Sequence, residues 1–341
     1  RLDNQNRDKN YPDFLATVRL SSQQINDYVS VNGGFHLTGN EIGVDAPKGE
    51  ICVVEFRDPS SQKLLALYKP KSLKVAVPNK IFGGLGSLII FTANDSIFHP
   101  AVEVEYKIQS NTLEARTGLD IVSDIPFTLG NQNMIVEAEI LRWPLDSREI
   151  EFNLFTDSRT KSVNIISDKY FSYESFQYTG MRFGNSEIEK IYDSYSGELR
   201  GASLSAKALG KILAPSVPYR QQFSNFYRLM ANGFIGFNEA EERVDLLPKI
   251  ILYVEALRKT SDFDEMGMSS YASGKNVTYD VDLDIATTRG VSSVMISEYD
   301  RTSIYPDNET FDIDKDKSFN FSGMFTAGQF EFLDDDALFE Y

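Results

Sequence analysis

The side chains of this chain that come nearest to a reaction centre are Asp95 and the run Glu105-Tyr106-Lys107. An acidic residue paired with Glu-x-Lys on a neighbouring strand can hold Mg²⁺ and orient a water, as metal-dependent nuclease chemistry requires. A plainer account is also complete. Val102, Val104, Tyr106 and Ile108 alternate with Glu103, Glu105 and Lys107, so a strand with one wet face explains every residue. Two aspartate triplets offer a different chemistry. Asp280, Asp282 and Asp284 alternate with Val281, Leu283 and Ile285. On one strand the three carboxylates would share a face, either solvated or forming a shallow calcium site. Asp312, Asp314 and Asp316 have the spacing of the first three ligands of an EF-hand loop. The sixth and twelfth positions of such a loop call for Gly and Glu, and here they hold Lys317 and Gly323. Calcium is therefore the one cofactor the sequence suggests, outside an EF-hand, with Lys315 and Lys317 weighing against it.

Other chemistries find few players. Cys52 is the only cysteine, which excludes an intrachain disulfide and a cysteine-rich zinc site, and its apolar neighbours predict a buried thiol. The only histidines are His36 and His99, and no Gly-x-Ser-x-Gly or His-Glu-x-x-His motif occurs. Gly83-Gly84-Leu85-Gly86-Ser87 lacks the Lys-Ser/Thr ending of a phosphate-binding loop and reads as a tight loop between strands.

The last dozen residues join acid to aromatics. Phe330, Phe332, Leu333, Leu338, Phe339 and Tyr341 are candidate anchors for a partner, and Asp334, Asp335 and Asp336 would steer a basic one. A final strand with a frayed end is the alternative. The acidity is concentrated here. The formal charge of the whole chain is −16, and residues 262–341 alone hold 18 Asp and Glu against 5 Lys and Arg. Such a surface repels a phosphate backbone, so direct nucleic-acid binding through it is not expected. No apolar run approaches the roughly 20 residues that cross a bilayer as a helix.

The elements that must carry these residues are mostly strands. Residues 1–12 are polar and read as an extended arm. Residues 13–170 contain short apolar runs separated by Gly, Pro, Asn and Asp, which predicts an antiparallel β-sandwich or barrel. Ser21-Ser22-Gln23-Gln24 reads as a short helix start and Asn32-Gly33 as a turn. Residues 171–266 form a helical segment. Ile188, Ile191, Tyr192 and Tyr195 make one apolar stripe, and further helices are expected over 203–213, 219–231 and 248–259. Strand patterning returns over 267–341, an acidic strand region ending in the tail: 277–285 alternates apolar and acidic residues, 291–299 is β-branched, and 319–332 carries alternating Phe. The predicted class is α+β and strand-dominated. Whether the last strands rejoin the first sheet is open from sequence.

Chemistry that fails to assemble, a polar arm and an acidic aromatic tail together suggest a non-enzymatic structural or interaction protein. The leading expectation is a self-assembling subunit of a virus or phage particle, in its shell or tail, contacting copies of itself or other particle subunits. The alternatives are a bacterial surface or secreted module that binds glycan or protein, and a metal-dependent hydrolase built on carboxylates.

Overall fold

The computed structural model describes residues 13–15, 20–38, 41–45, 52–76, 79–117, 125–130, 134–155, 162–167, 173–196, 203–260, 265–298, 301–315 and 317–340. The 1–12 arm, Asp316 and Tyr341 lie outside them. The first strands are β1 (Asp13–Leu15), β2 (Leu20–Gln24), β3 (Val29–Thr38), β4 (Glu41–Asp45), β5 (Val53–Arg57), β6 (Leu64–Pro70), β7 (Ser72–Ala76), β8 (Lys80–Phe91) and β9 (Ser96–Lys107). Buried and more exposed side chains alternate clearly in several of them; β5 buries Val54 and Phe56, and β7 buries Leu73 and Val75. The long strands change partner midway. β3 pairs with β5 through Val29–Asn32 and with β4 through Gly34–Thr38. β8 pairs with β7 through Lys80–Gly83 and with β6 through Gly86–Ile90. With β4–β7 and β5–β6 also paired, these strands close into a small barrel.

Two sequence expectations are corrected at these crossings. Asn32-Gly33 is not a turn but the changeover inside β3, and Gly83–Ser87 is not a loop but the bend inside β8, where the register slips. The glycines remove side chains where two strands approach. A Cβ on Gly86 would lie 2.6 Å from the Lys69 carbonyl oxygen and from Pro70 Cα, while one on Gly84 would meet nothing within 4 Å. Ser21–Gln24 is likewise strand, not helix, because β2 pairs with β3 and satisfies the backbone groups a helix cap would have served.

β9 bends at Pro100-Ala101 and feeds two sheets. The strands that follow are β10 (Thr112–Thr117), β11 (Phe127–Leu129), β12 (Met134–Glu137), β13 (Ile140–Pro144), β14 (Glu149–Asn153) and β15 (Val163–Ser167). After the helical segment come β19 (Gly267–Ser270), β20 (Val277–Asp280), β21 (Ile285–Arg289), β22 (Val291–Ser297), β23 (Thr302–Pro306), β24 (Thr310–Ile313), β25 (Phe319–Ala327) and β26 (Phe330–Phe339). One sheet runs β9–β10–β13–β14–β20–β21–β24. The other runs β9–β11–β12–β15–β19–β22–β23–β25–β26. The C-terminal strands therefore rejoin the N-terminal sheets. The two sheets face each other across one core; Phe127 of β11 meets Phe152 of β14 edge-to-face with ring centres 5.4 Å apart. Two of the strand-patterned runs contain a turn: 277–285 turns between β20 and β21, and 319–332 turns at Gly328-Gln329.

The helical segment is inserted between β15 and β19, which pair with each other, so its two ends leave the sheet side by side. It holds α1 (Tyr173–Phe183), α2 (Asn185–Ser196), β16 (Leu204–Ser205), α3 (Ala206–Leu213), α4 (Phe223–Ala231), β17 (Ile235–Asn238), β18 (Arg243–Leu246) and α5 (Lys249–Leu257). Ser205 caps α3 by accepting from the Ala208 amide at 3.2 Å. The buried amide of Gln222 donates to the carbonyls of Gly210, Ala214 and Val217, which closes the end of α3. Ile188, Ile191, Leu209, Phe226, Phe234 and Tyr253 form a second core, separate from that of the sandwich. α1 and the three-stranded sheet β16–β18–β17 were not foreseen. No helix among the described residues is long and apolar enough to cross a membrane.

Candidate interaction surface

β26 is the last strand of its sheet, paired with β25 on one edge and with no strand among the described residues on the other. Its register explains its odd sequence. Phe332 lies opposite Phe325 and Asp334 opposite Gly323, and then Ala337 lies opposite Phe321 and Phe339 opposite Phe319. Asp335 and Asp336 together face Ser322, so they are a β-bulge. The bulge shifts the alternation by one residue, which puts Phe330, Phe332, Ala337 and Phe339 on the same face. Gly323 sits at φ +144°, and a Cβ there would lie 2.3 Å from the Tyr305 carbonyl oxygen, so glycine is required where the strands cross closest.

A file of rings follows that face outward. Phe311 packs on the buried Phe319, which packs on Phe339. Phe325 stacks on Phe332 with ring centres 4.6 Å apart, and Phe330 follows at 6.4 Å. The inner end of the file is core, and the outer end is open: Phe330 is 69% exposed, and Leu333, on the opposite face, is 84% exposed. Leu338 is exposed as well, and Glu331, Asp334, Asp335 and Asp336 surround these apolar groups. An outermost strand that is long, apolar at its tip and unpaired is a template for contact with another chain. Of the tail residues singled out from sequence, Phe330, Phe332 and Leu333 lie near the hairpin tip, Asp334, Asp335 and Asp336 lie midway along β26, and Leu338 lies near its base, opposite Asn320. Phe339 is turned toward the core.

The aspartate triplets are arranged differently from the strand faces expected of them. Asp280 accepts from the Asp282 and Leu283 amides at 2.9 and 3.0 Å, an Asx turn that reverses the chain between β20 and β21. Asp284 is buried in that turn at φ +56° and accepts from Asn94 at 2.6 Å and Tyr279 at 3.1 Å. Burial pushes the Asp284 carboxyl up, but hydrogen bonds from Thr92, Asn94 and Tyr279 outweigh it and hold the group below its usual range. Asp282 points outward, 4.0 Å from Arg148. Asp312 accepts from Thr287 at 2.6 Å on an exposed face, and Asp314 opens the turn into β25. Among the described residues no three His, Cys, Asp or Glu side chains gather as metal ligands. With Asp280 and Asp284 engaged in one turn and Asp312 bonded to Thr287, adding calcium or a chelator should leave the melting temperature within about 1 °C. Calorimetry in each buffer tests this; a rise with calcium would show a site built on the triplets.

Asp95 and Glu105 lie at opposite ends of β9, roughly 30 Å apart at strand rise, so they cannot share a metal. Lys107 instead donates to Glu114 at 3.2 Å, and Arg116 and Arg142 also reach that carboxylate. Burial works to raise Glu114, and its Arg116 and Lys107 partners more than offset this, leaving it lowered. Cys52 is fully buried, as its sequence context predicted. His99 is buried on β9, where its Nδ1 accepts from the Ala101 amide at 3.1 Å and its Nε2 donates to the Ile125 carbonyl at 2.8 Å. Burial lowers its pKa to about 4, against only a partial opposing pull from Ile125, so the ring is neutral.

Sequence reasoning did not find the seam between the insertion and the strands. β17 runs beside β9, Lys71 pairs with Glu239, and Tyr227 donates to Glu239 at 2.5 Å. A cleft of about 410 Å³ opens there, lined by Lys69, Ser87, Glu103, Tyr227 and Asn238. An apolar one of about 330 Å³ lies beside it, lined by Phe98, Ile125, Met230, Ile235 and Leu247. Only pairing of residues distant in sequence creates either, so no local signal marks them. Comparison with protein-family models, with curated proteins and with solved structures finds no match for the chain.

Proposed function

We propose that this protein is a non-enzymatic assembly subunit, of the kind that builds the shell or tail of a virus or phage particle. The observation that carries the reading is the β25–β26 hairpin: an outermost strand with one edge unpaired among the described residues and Phe330, Phe332 and Leu333 presented at its tip. A chain in solitary use gains nothing from this feature, and burying about 100 Å² of apolar surface per anchor side chain would contribute on the order of 2 kcal/mol each. The scattered carboxylates support the same reading, because Asp95, in the bend before β9, and Glu105, near the other end of that strand, lie too far apart to act together. Light scattering on concentrated protein should show particles many times the mass of one 38.5 kDa chain. F330D combined with L333D should return the protein to a monomer with unchanged circular dichroism. A wild-type chain that stays monomeric at high concentration would remove the proposal. A second reading, a binding module for glycan or another polar ligand, is favoured by the cleft that Lys69, Glu103, Tyr227 and Asn238 line.

A further inference from the structure

We infer that copies of this chain join head to tail, with the β25–β26 hairpin of one seated on the outer face of the β7–β8–β9–β10 strands of the next. This rests on the assembly reading and adds which surface the hairpin meets. The hairpin tip is acidic throughout: Glu331, Asp334, Asp335 and Asp336 are exposed and β25 carries no Lys or Arg. Two such strands laid edge to edge in antiparallel fashion about Asp335 set Asp334 against Asp336 and Asp335 against itself, and like charges directly opposite destabilise a ladder. Slipping the register to centre on residues 332 and 333 sets Glu331 against Asp334. A two-fold contact through β26 is therefore opposed by charge.

The complementary surface is on the far side of β9. Lys74 lies directly opposite Phe82 in the β7–β8 ladder, and Lys80 and Lys107 are opposite one another in β8–β9. Phe82 is 38% exposed, an apolar anchor on an otherwise polar face. Arg116 and Arg142 continue the basic row across β10 and β13. Three carboxylates share the face: Glu103 lies opposite Arg116, Glu105 pairs with Lys80 at 3.4 Å, and Glu114 is enclosed by Lys107, Arg116 and Arg142. Five cations against three carboxylates leave the patch net positive around one exposed ring. The hairpin is the reverse: apolar anchors ringed by acid. Because the hairpin and the receiving face are separate patches, each copy can engage one neighbour through its hairpin and another through its face, and the contact then repeats into a ring or a filament.

Charge reversal tests this with the full chain. D334K/D335K/D336K makes the hairpin basic, and K74E/K80E makes the receiving face acidic; all five positions are exposed, so folding is preserved and circular dichroism checks it. Each variant alone should scatter as a monomer, with apparent affinity at least 100-fold below wild type. An equimolar mixture should reassemble into large species, since each hairpin then meets a face of opposite charge. Raising salt from about 0.05 to 0.5 M should weaken wild-type assembly at least 10-fold. A mixture that stays monomeric while wild type assembles would overturn the head-to-tail contact and leave the assembly reading standing, whereas wild-type closed dimers would overturn both. A wild type that never assembles defeats the assembly reading itself.

Discussion

Alanine at Gly86 should lower the stability of the protein by about 3 kcal/mol or more, whereas alanine at Gly84, two residues away in the same strand, should change it by less than about 1 kcal/mol. The difference is steric. A methyl group at position 86 would sit 2.6 Å from backbone atoms of Lys69 and Pro70, and backbone cannot swing aside as a flexible side chain can. Relief would require β6 and β8 to separate, which opens the barrel at the point where β8 changes partner. At position 84 the added methyl meets open space. Denaturant unfolding of the two variants measures the contrast; equal midpoints would mean that the bend in β8 is not held by this contact.

The second large effect is a loss of stability in mild acid. His99 keeps its ring neutral in the fold, with a pKa of about 4, and takes up a proton near 6.5 once unfolded. Between those values the unfolded chain binds more protons, so stability falls as pH falls. The contribution is complete above about pH 6.5. By pH 5 about 2 kcal/mol is gone, and near pH 4 about 3 kcal/mol. The carboxylates that are lowered in the fold, Glu114, Glu239 and Asp284, act in a more acidic window, their stabilisation being lost as pH falls below their ordinary values of 4.5 and 3.8. The stretch from pH 6.5 to 5 therefore isolates the histidine. In H99Q the unfolding free energy should be lower throughout and nearly level over that stretch. A slope matching wild type would assign the acid sensitivity to other groups.

The class of fold and the positions of most strands were legible because half-buried strands alternate and these do so clearly, as in Val53–Arg57 and Ser72–Ala76. The helices over 185–196 and 206–213 were legible from one-sided apolar stripes. What misled was punctuation. Asn32-Gly33 and Gly83–Ser87 have turn composition, yet in a tightly curved barrel glycine also marks where one strand leaves a neighbour for another, and only the partner strands tell the two uses apart. Asp280–Asp284 shows the converse. Its alternation mimics a strand, but Asp280 caps the amides that follow it and Asp284 adopts a positive φ, so the same residues make a turn. The aromatic tail was visible as a candidate contact, although the bulge at Asp335 and Asp336 that aligns its rings depends on the register with β25. The basic face around Phe82 was invisible because its members come from strands far apart in the chain.

The pairing of β14 with β20 joins Glu149 to Asp280, and β15 meets β19 across the whole insertion. Neither layer of the sandwich is finished until residues 267–339 have been synthesised. On a ribosome the barrel can form early from neighbouring hairpins, but the strands after it must wait, with apolar faces uncovered, while more than a hundred further residues emerge. Slow maturation and a need for protection during synthesis follow from that connectivity. The insertion, with its own core, is the one part able to settle during the delay.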